Sequence, residues 1–484
     1  MTGPARQSGP TSENRVTTRP TRSAIVLACG APFVSLLDVT IVNLAIPQLA
    51  VDFPRATVSG LTWVVTAYAV VFAALIAPFG GMADALGRRV VYGWGLALFT
   101  AASAACAVAP DLSVLLGARV VQAVGAAALV PTSLAIVLAQ VAPQHRMAAV
   151  GAWAASASMA AALGPGLGGL LVDSLGWRWV FLINLPVGVA LAFFLRAASP
   201  ERRSQRLPDL LGALLLALGV GGIVLGISQG NEWGWTSGRS ALAVGVGLVA
   251  SLAAVRRSWH HPTPGIEVGL WRTRDYASAN LVSVFFGMML YPWLLVGILF
   301  LNDVWGFSAL EAGLAVTHGA VFSAIAGAWA SKRGIGARAA MVSGGLLLTA
   351  TAASLALLLT PDVDLLLLWV PTGVTCGIGI GLLSTGVSAA AALSVAPSRF
   401  ASATGLNLAA RQVGGAIGIA ILAAILDVPG GPRLADYQSV YLLCSVAALA
   451  AAIAALLTSD LPGKWRTATA TAQEGLGDAV VRAD

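Results

Sequence analysis

The sequence predicts an all-α polytopic membrane protein that crosses the bilayer fourteen times. Of its 484 residues, 57% are hydrophobic and only 10% are charged, and the mean hydropathy is +0.83. A soluble domain carries about 25% charged residues. Fourteen apolar stretches each approach the roughly 20 residues that cross a bilayer, and positive charge concentrates on every second loop between them. A transporter, a channel or an intramembrane enzyme remain as function classes.

The first six spans form one block, in which short polar loops separate the apolar runs. They are predicted at residues 24–48, 61–82, 90–109, 112–139, 147–172 and 179–198. A basic stretch from Arg196 to Asp209, which contains Pro200 to Arg206, closes this block. It separates the first six spans from the rest of the chain.

Two further spans and a second block of six follow. The two extra spans, 209–229 and 240–256, are joined by the Gly- and Trp-bearing loop Gln229 to Trp235. The last block is predicted at residues 277–301, 309–331, 338–360, 364–392, 401–427 and 439–458. The arrangement is therefore 6+2+6. We expect an N-terminal tail (1–23), a six-helix bundle (24–198), two extra helices with flanking cytoplasmic loops (199–274), a second six-helix bundle (275–458) and a C-terminal tail (459–484).

The distribution of Lys and Arg predicts the orientation. Of these 28 residues, 22 fall on the two tails and the even-numbered loops, whereas the odd-numbered loops carry four. Short loops rich in Lys and Arg stay in the cytoplasm, so both termini are expected there. Topology accounts for the net charge of +7, and nucleic-acid binding is not needed to explain it. The first 22 residues do not resemble a removable signal peptide.

An internal repeat connects the two blocks of six. Three small residues in the loop after span 2 recur in the loop after span 10 at a constant offset of 247: Gly80, Ala83 and Gly87 match Gly327, Ala330 and Gly334. Transporters are often built from repeated helical units. Asp84 is replaced by Ser331 in the second copy, so only the first loop keeps its acid.

Asp38 is the only acidic residue deep within a predicted span, where a charge is costly unless it is paired or hydrated. It lies roughly 14 Å from the outer end of span 1, and Arg119 lies roughly 10 Å from the outer end of span 4. Their similar depth makes them candidate partners. The pair either forms a proton-coupling site, in which Arg119 keeps the acid ionised until a proton or cation intervenes, or it is a permanent ion pair that fixes packing. Buried pairs are weak evidence for stability, which favours proton coupling.

Other polar residues in the spans are candidate substrate or proton sites: Arg411, His318, Asn43 and Gln122. Arg411 could line a water-filled cavity, bind an anionic substrate group, or bond helix-end carbonyls and Gln412. His318 could relay protons, although a lone histidine in a span more often serves packing. The four cysteines all fall in spans, so we expect neither a disulfide framework nor a metal site.

Two glycine-containing segments suggest moving parts. Span 5 contains Gly164-Pro165-Gly166-Leu167-Gly168-Gly169, which either forms a hinge or simply allows close helix packing. The segment Gly80 to Arg89 places Asp84 at a helix end, with Arg88 and Arg89 just after it. Charges there can bond neighbouring helix termini. A solvated turn that obeys the positive-inside rule would need the arginines but neither Asp84 nor Gly87.

These segments resemble the fourteen-helix drug:proton antiporters of the major facilitator superfamily along essentially the whole chain between the tails. Leu37 to Pro47 resembles the family's first-helix signature, and Gly81 to Arg89 resembles the helix 2–3 loop motif. Two further motifs match by single residues, namely Arg119, Gln122 and Gly125 in helix 4 and Gly164, Pro165, Gly168 and Gly169 in helix 5. The four motifs occur in order and in the corresponding helices.

The resemblance implies a major facilitator fold that works by alternating access in a bacterial inner membrane. It implies proton coupling through Asp38 and Arg119 and conformational change at the glycine motif of span 5. It also implies a cytoplasmic gate formed by Gly81, Asp84, Gly87, Arg88 and Arg89. The expected partners are a hydrophobic small-molecule substrate, protons and the lipid bilayer. No cofactor is expected, because the sequence has no GxxxxGK[ST] loop to bind a nucleotide.

The sequence departs from the family pattern in its charges, and it is compatible with several rival functions. In spans 9 to 13 acids occur only at the span ends, as Glu311 and Asp427 do, which fits neutral or monovalent cationic substrates, whereas Arg411 would favour an anionic or phenolic group. The rival functions are a proton-coupled importer of the same fold, an intramembrane enzyme and a transporter-like receptor. An enzyme would usually gather several His or acidic residues at one membrane face, and the chain has four His in total.

Overall fold

The structure is a computed structural model that describes residues 22–196, 209–261, 268–428 and 431–459. Within these ranges, fourteen helices are long and apolar enough to cross a membrane. Each of them coincides with a predicted span to within about five residues. The all-α fold with fourteen spans is therefore confirmed. The N-terminal tail up to residue 21, the basic segment Pro200 to Arg206 and the C-terminal tail from residue 460 lie outside the described residues.

The first block contains seven helices, because the sixth span is divided in two. They are α1 (Arg22–Asp52), α2 (Val58–Leu86), α3 (Arg88–Ala107), α4 (Leu112–Gln140), α5 (Arg146–Leu175), α6 (Arg178–Leu182) and α7 (Asn184–Arg196). The break falls at Ile183. Pro186 follows three residues later, and because proline lacks an N–H it cannot donate to the carbonyl of Leu182.

The next two spans form a helical hairpin outside the first block. It consists of α8 (Leu210–Ser228), the short α9 (Gly230–Trp233) and α10 (Gly238–His260). Asp209 caps the start of α8, since its carboxylate accepts from the Gly212 N–H at 3.0 Å. The same carboxylate pairs with Arg257 of α10 at 2.7 Å. Helix α8 packs against α2 and α15, so the hairpin lies beside the contact between the two blocks.

The last block contains six long helices. They are α11 (Arg274–Asp303), α12 (Ala309–Lys332), α13 (Ala337–Leu358), α14 (Val370–Leu393), α15 (Phe400–Leu426) and α16 (Leu434–Ala455). One π-helical turn (Leu365–Trp369) leads into α14. Pro371 lies two residues after the end of this turn, and its missing N–H weakens the regular helical pattern there.

The two blocks meet along two helix pairs, α2 with α15 and α5 with α12. Glycines permit the close approach. A Cβ atom on Gly80 would meet the backbone of Ala401, and one on Gly151 would meet Ser331. Gly80 and Ser331 belong to the two segments that the internal repeat identified, so each of these segments contacts the opposite block at the face predicted to be cytoplasmic. The first block and the last block are therefore closed against each other at that face.

Candidate functional site

Asp38 lies near the middle of α1 with only 1% of its surface exposed. Its Oδ2 accepts from Nη1 of Arg119 at 2.5 Å, and both side chains are fully buried. Its Oδ1 accepts from the amide nitrogens of Gln122 and Asn184, both at 2.8 Å. Three donors from α4 and α7 thus surround one carboxylate on α1. The predicted Asp38–Arg119 contact is present in the structure.

A second layer of hydrogen bonds fixes these donors. Nη1 of Arg119 also donates to Oε1 of Gln122 at 2.7 Å. The Gln122 and Asn184 amides both donate to Oγ of Ser103 on α3, at 2.8 and 3.3 Å. A buried polar network is favourable only when its members are satisfied together. Four helices, α1, α3, α4 and α7, therefore depend on a single charge pair.

The remaining contacts of Arg119 come from α2 and α6. Its Nε donates to the carbonyl of Val64 at 3.0 Å. Its guanidinium lies 4.3 Å from the ring centroid of Tyr68 and 5.8 Å from that of Phe181, within reach of cation–π attraction. Its Nη2 is buried without a hydrogen-bond partner. The buried Arg119 charge is therefore stabilised by one carboxylate and two aromatic rings.

This arrangement places one carboxylate where its charge decides the contacts of three helices. The ionised carboxylate balances the guanidinium, whereas protonation would leave Arg119 as an uncompensated charge in an apolar interior. A change of protonation at Asp38 is therefore a change in the contacts among α1, α4 and α7. The structure gives the contact between Asp38 and Arg119, but it contains no proton transfer. The proton-coupling role of the two residues therefore stays a prediction.

Sequence reasoning missed Asn184 and Ser103. Asn184 is 146 residues from Asp38 in the chain, and only the packing of α7 against α1 and α3 brings the two together. A signal was available, since Asn184 is a polar residue inside an apolar span, two positions before Pro186. A polar side chain at membrane depth needs a partner, and the break between α6 and α7 directs this one at the carboxylate.

Asp84 of α2 contacts the first turn of α15. Its carboxylate accepts from the backbone N–H groups of Ala401 and Ser402, at 3.3 and 2.7 Å, and from Oγ of Ser402 at 2.8 Å. A carboxylate at a helix N-terminus is favoured by the free N–H groups and the helix dipole. Asp84 thus connects the first block to the last block.

Arg88 strengthens the same connection. It pairs with Asp84 at 3.0 Å and donates to the carbonyls of Ala135 at 3.2 Å and of Pro397. Gly87 separates α2 from α3 with a φ of 101°, a backbone conformation that residues other than glycine rarely adopt. The tight turn at Gly87 places Arg88 one turn after Asp84. Arg89 instead donates to the carbonyl of Arg196 at 3.2 Å, within the first block, and Gly81 lies inside α2.

The glycine motif of α5 lies between α1 and α12. Helix α5 is continuous from Arg146 to Leu175 and contains Pro165 in its interior. A Cβ atom on Gly164 would meet Thr40 of α1, one on Gly168 would come within 2.7 Å of Leu44, and a Cβ on Gly313 of α12 would be 2.9 Å from Pro165. Gly169 follows on the same helix. The glycines of the motif therefore permit close packing on α1, whereas on the other side Gly313 of α12 makes room for Pro165. The hinge role of the motif stays a prediction.

The other candidate residues do not join the Asp38 network, except Gln122. Asn43 is exposed and donates to the Val39 carbonyl of its own helix at 3.0 Å. His318 of α12 packs against Gly373 of α14, and its Nε2 is buried without a partner. Arg411 lies on α15 against Phe286 of α11, in the last block. The structure thus separates these three residues from the charge pair.

Comparisons with known proteins agree with this architecture. A family model described as Major Facilitator Superfamily matches residues 28–317 and 277–480. Multidrug resistance protein Stp of Mycobacterium tuberculosis (strain CDC 1551 / Oshkosh) is 35% identical over 405 residues, which cover 81% of this chain and 74% of that protein. Cephamycin export protein CmcT of Amycolatopsis lactamdurans is 31% identical over 479 residues, or 95% of this chain and 97% of that protein.

A solved structure shares the fold. The crystal structure of the human organic anion transporter MFSD10 (TETRAN) matches with a TM-score of 0.67 and 16% sequence identity, over 90% of this chain and 100% of that chain. At this identity the match concerns the path of the backbone alone.

Proposed function

The chain belongs to the Major Facilitator Superfamily, and from this membership we propose that it is a proton-coupled exporter of bulky hydrophobic small molecules. It is a transporter and not an enzyme. We further propose that it lies in a bacterial inner membrane with both termini in the cytoplasm, as the Lys and Arg distribution predicts. Its relatives named for multidrug resistance and for cephamycin export support the outward direction.

The observation that carries the proposal is the buried network around Asp38. Secondary transport driven by protons needs a group that binds a proton inside the membrane and changes helix contacts when it does. Asp38 is such a group, because Arg119 donates to its Oδ2 while Gln122 and Asn184 donate to its Oδ1. A proton on either oxygen removes an acceptor from α4 or α7. Protonation is thereby coupled to the packing of α1.

In the proposed cycle, a proton from outside reaches Asp38 while the cytoplasmic face is closed by Asp84 and Arg88. Neutralisation of Asp38 frees Arg119 and weakens the ties among the helices of the first block. This block then moves against the last block along α2–α15 and α5–α12, where Gly80, Gly151 and Gly313 allow the helices to approach closely. The opened face releases the proton to the cytoplasm and takes up substrate, and reclosure exports it.

The test is transport by everted membrane vesicles, in which the cytoplasmic face is outside. We expect vesicles containing the protein to accumulate a fluorescent aromatic antibiotic when respiration acidifies their interior, and to lose it on addition of a protonophore. Asp38→Asn should reduce this accumulation at least tenfold, because the amide cannot take up a proton. Asp52→Asn is the matched control, since it is the same substitution on α1 at a half-exposed ion pair with Arg178.

Two results would contradict the proposal. Proton-driven transport that survives Asp38→Asn would exclude Asp38 as the coupling group and leave His318 as the next candidate. Accumulation in right-side-out vesicles, in the direction of the proton gradient, would identify an importer of the same fold. Size-exclusion chromatography and thermal melting of both variants show whether a loss of transport is a loss of folding.

A further inference from the structure

Arg411 is a buried charge that the protein itself does not compensate. It lies near the middle of α15, and only 9% of its surface is exposed. Its Nε and Nη2 atoms are buried and have no hydrogen-bond partner. The one contact that the structure shows for its guanidinium is the ring of Phe286 on α11, whose centroid lies 4.8 Å away. At least two N–H donor groups of Arg411 are therefore buried without an acceptor.

The neighbouring polar residues of α15 are, by contrast, satisfied. One turn away, Asn407 accepts from Ser283 at 2.9 Å and donates to the carbonyl of Ala279 at 3.2 Å. Gln412, the next residue along the chain, accepts a hydrogen bond from the hydroxyl of Tyr291. The side-chain amides at the contact between α11 and α15 thus have hydrogen-bond partners. The open donors of Arg411 are not explained by a general lack of partners at this contact.

A compensating acid is not available nearby. In the described part of the last block, the carboxylates lie at or beyond the ends of the long helices, as Asp303 and Asp427 do at the ends of α11 and α15. Arg119, the other arginine in the middle of a span, has Asp38. A guanidinium at this depth that lacks both an acid and hydrogen-bond acceptors is unfavourable. Its partner must therefore come from outside the polypeptide.

We propose that Arg411 binds the carboxylate of an anionic substrate, so that this exporter selects amphiphiles that carry an acidic group. The guanidinium fork matches a carboxylate with two parallel hydrogen bonds. The Phe286 ring beside the guanidinium is no carboxylate or carbonyl acceptor, so the Nε and Nη2 donors remain available for this geometry. The ring also supplies an apolar surface for the rest of such a molecule. The inference rests on the proposed export function and specifies its substrate class.

A small inorganic anion offers the same chemistry, so the experiment must separate it from a substrate. The probes are coumarin-3-carboxylate and the uncharged coumarin-3-carboxamide, which share their ring system, together with sodium chloride in a buffer that contains no carboxylate. Thermal melting of the purified protein measures binding, and proteoliposomes with an imposed pH gradient measure transport. The variants are Arg411→Gln, Arg411→Lys and Arg411→Leu, with Arg55→Gln in an outer loop as a charge-matched control.

We expect the wild-type protein and Arg55→Gln to bind and transport the carboxylate about tenfold better than the carboxamide. Arg411→Gln should abolish this preference by lowering transport of the carboxylate, and Arg411→Lys should retain part of it. Arg55→Gln should move the carboxamide in a proton-dependent way, as the wild type does. Without ligand, Arg411→Leu should melt at the same or a higher temperature than the wild type, because it removes an uncompensated buried charge.

Three outcomes would overturn the inference. Equal preference for the two probes in the wild type and in Arg411→Gln would show that Arg411 does not select substrates. Stabilisation by chloride that equals the effect of the carboxylate, with no transport preference, would identify a counter-ion site. A marked loss of thermal stability in Arg411→Leu would indicate a structural role. Proton-independent transport of both probes would instead count against the proposed function.

Discussion

Gly164 and Gly166 are two residues apart in α5, and the structure gives them opposite environments. A Cβ atom on Gly164 would collide with Thr40, whereas a Cβ on Gly166 would have no atom within 4 Å. Thr40 cannot easily yield, because it is β-branched and its hydroxyl donates to the carbonyls of Leu36 and Leu37 at 3.0 and 2.9 Å. The same motif thus contains one constrained glycine and one unconstrained glycine.

We therefore predict opposite effects for the same substitution at these positions. Gly164→Ala should destabilise the protein by about 1–3 kcal/mol, the usual cost of overpacking, and should slow transport. Gly166→Ala should stabilise it by about 0.5–1 kcal/mol, since alanine favours a helix over glycine. Thermal melting in detergent, together with the vesicle assay, measures both effects. Equal effects at the two positions would show that the packing of Gly164 on Thr40 is unimportant.

The contacts of a polar residue could be predicted from the sequence where they depend on its depth in the membrane. They could not be predicted where they depend on how the helices pack. Asp38 and Arg119 were identifiable because charges within a span are rare and their depths match. Asn184 could be recognised as a polar residue inside a span, but its contact with Asp38 could not be predicted, because that contact requires the break at Ile183 and the docking of α7 on α1. The roles of the candidate residues remain predictions that the transport experiments test.

At the scale of helices, apolar length predicted the fourteen spans, since the bilayer sets that length. Their interruptions were harder to predict. The break between α6 and α7 and the π-helical turn Leu365–Trp369 lie near Pro186 and Pro371, but proline also occurs inside continuous helices here, as at Pro165. Whether a proline interrupts a helix depends on which neighbouring groups take up the freed carbonyl.

The hairpin of α8 and α10 allows a pH-dependent prediction. Burial of Asp209 opposes its ionisation, but hydrogen bonds from the Gly212 N–H and from Arg257 outweigh it and lower the pKa of Asp209 below its ordinary value. A carboxyl whose pKa is lowered by folding contributes stability above its unfolded pKa of about 3.9 and loses it as the pH falls through the lowered folded value. Asp209→Asn should therefore cost about 0.5–1 kcal/mol at pH 7.

The difference in melting temperature between the wild type and Asp209→Asn should be constant from about pH 7 to pH 5 and shrink towards pH 3. Asparagine also caps helices well, so Asp209→Asn keeps the helix cap. The measured difference then reports the loss of the carboxylate charge. Asp111→Asn is the control, because Asp111 caps α4 through the Val114 N–H at 2.9 Å and forms no ion pair in the described structure. A difference that does not change with pH would exclude a contribution from the ionised carboxylate.

At the scale of the whole molecule, Asp84 and Ser331 occupy equivalent positions in the repeat but have different functions in the contact between blocks. Asp84 holds the N-terminus of α15, whereas Ser331 donates to the Gly327 carbonyl of its own helix at 2.8 Å and packs beside Gly151. If each block moves as a rigid body, loss of the Asp84 contact on the α2–α15 side will also expose Ser331 on the α5–α12 side.

We predict that Asp84→Asn increases the accessibility of position 331 about tenfold, because charge-assisted hydrogen bonds of about 1.5–3 kcal/mol are weakened. The reporter is Ser331→Cys in a variant whose native cysteines, Cys29, Cys106, Cys376 and Cys444, are replaced by alanine. The rate of labelling by a membrane-impermeant maleimide from the predicted cytoplasmic face measures the opening. Asp52→Asn, at the opposite face, should leave the rate unchanged. An unchanged rate in Asp84→Asn would mean that the blocks do not move as units.

The five hydrogen bonds that Asp84 accepts from Arg88, Ala401 and Ser402 imply a compromise between speed and tightness. In the proposed cycle they must break and form again for every molecule exported. A stronger contact would lengthen the dwell time of the closed state and slow turnover, and a weaker one would let protons leak inward without cargo. The last block carries Ser331 in place of an acid, so one carboxylate, that of Asp84, sets this compromise. Exporters with faster or leakier cycles should therefore differ first in the residues that contact Asp84.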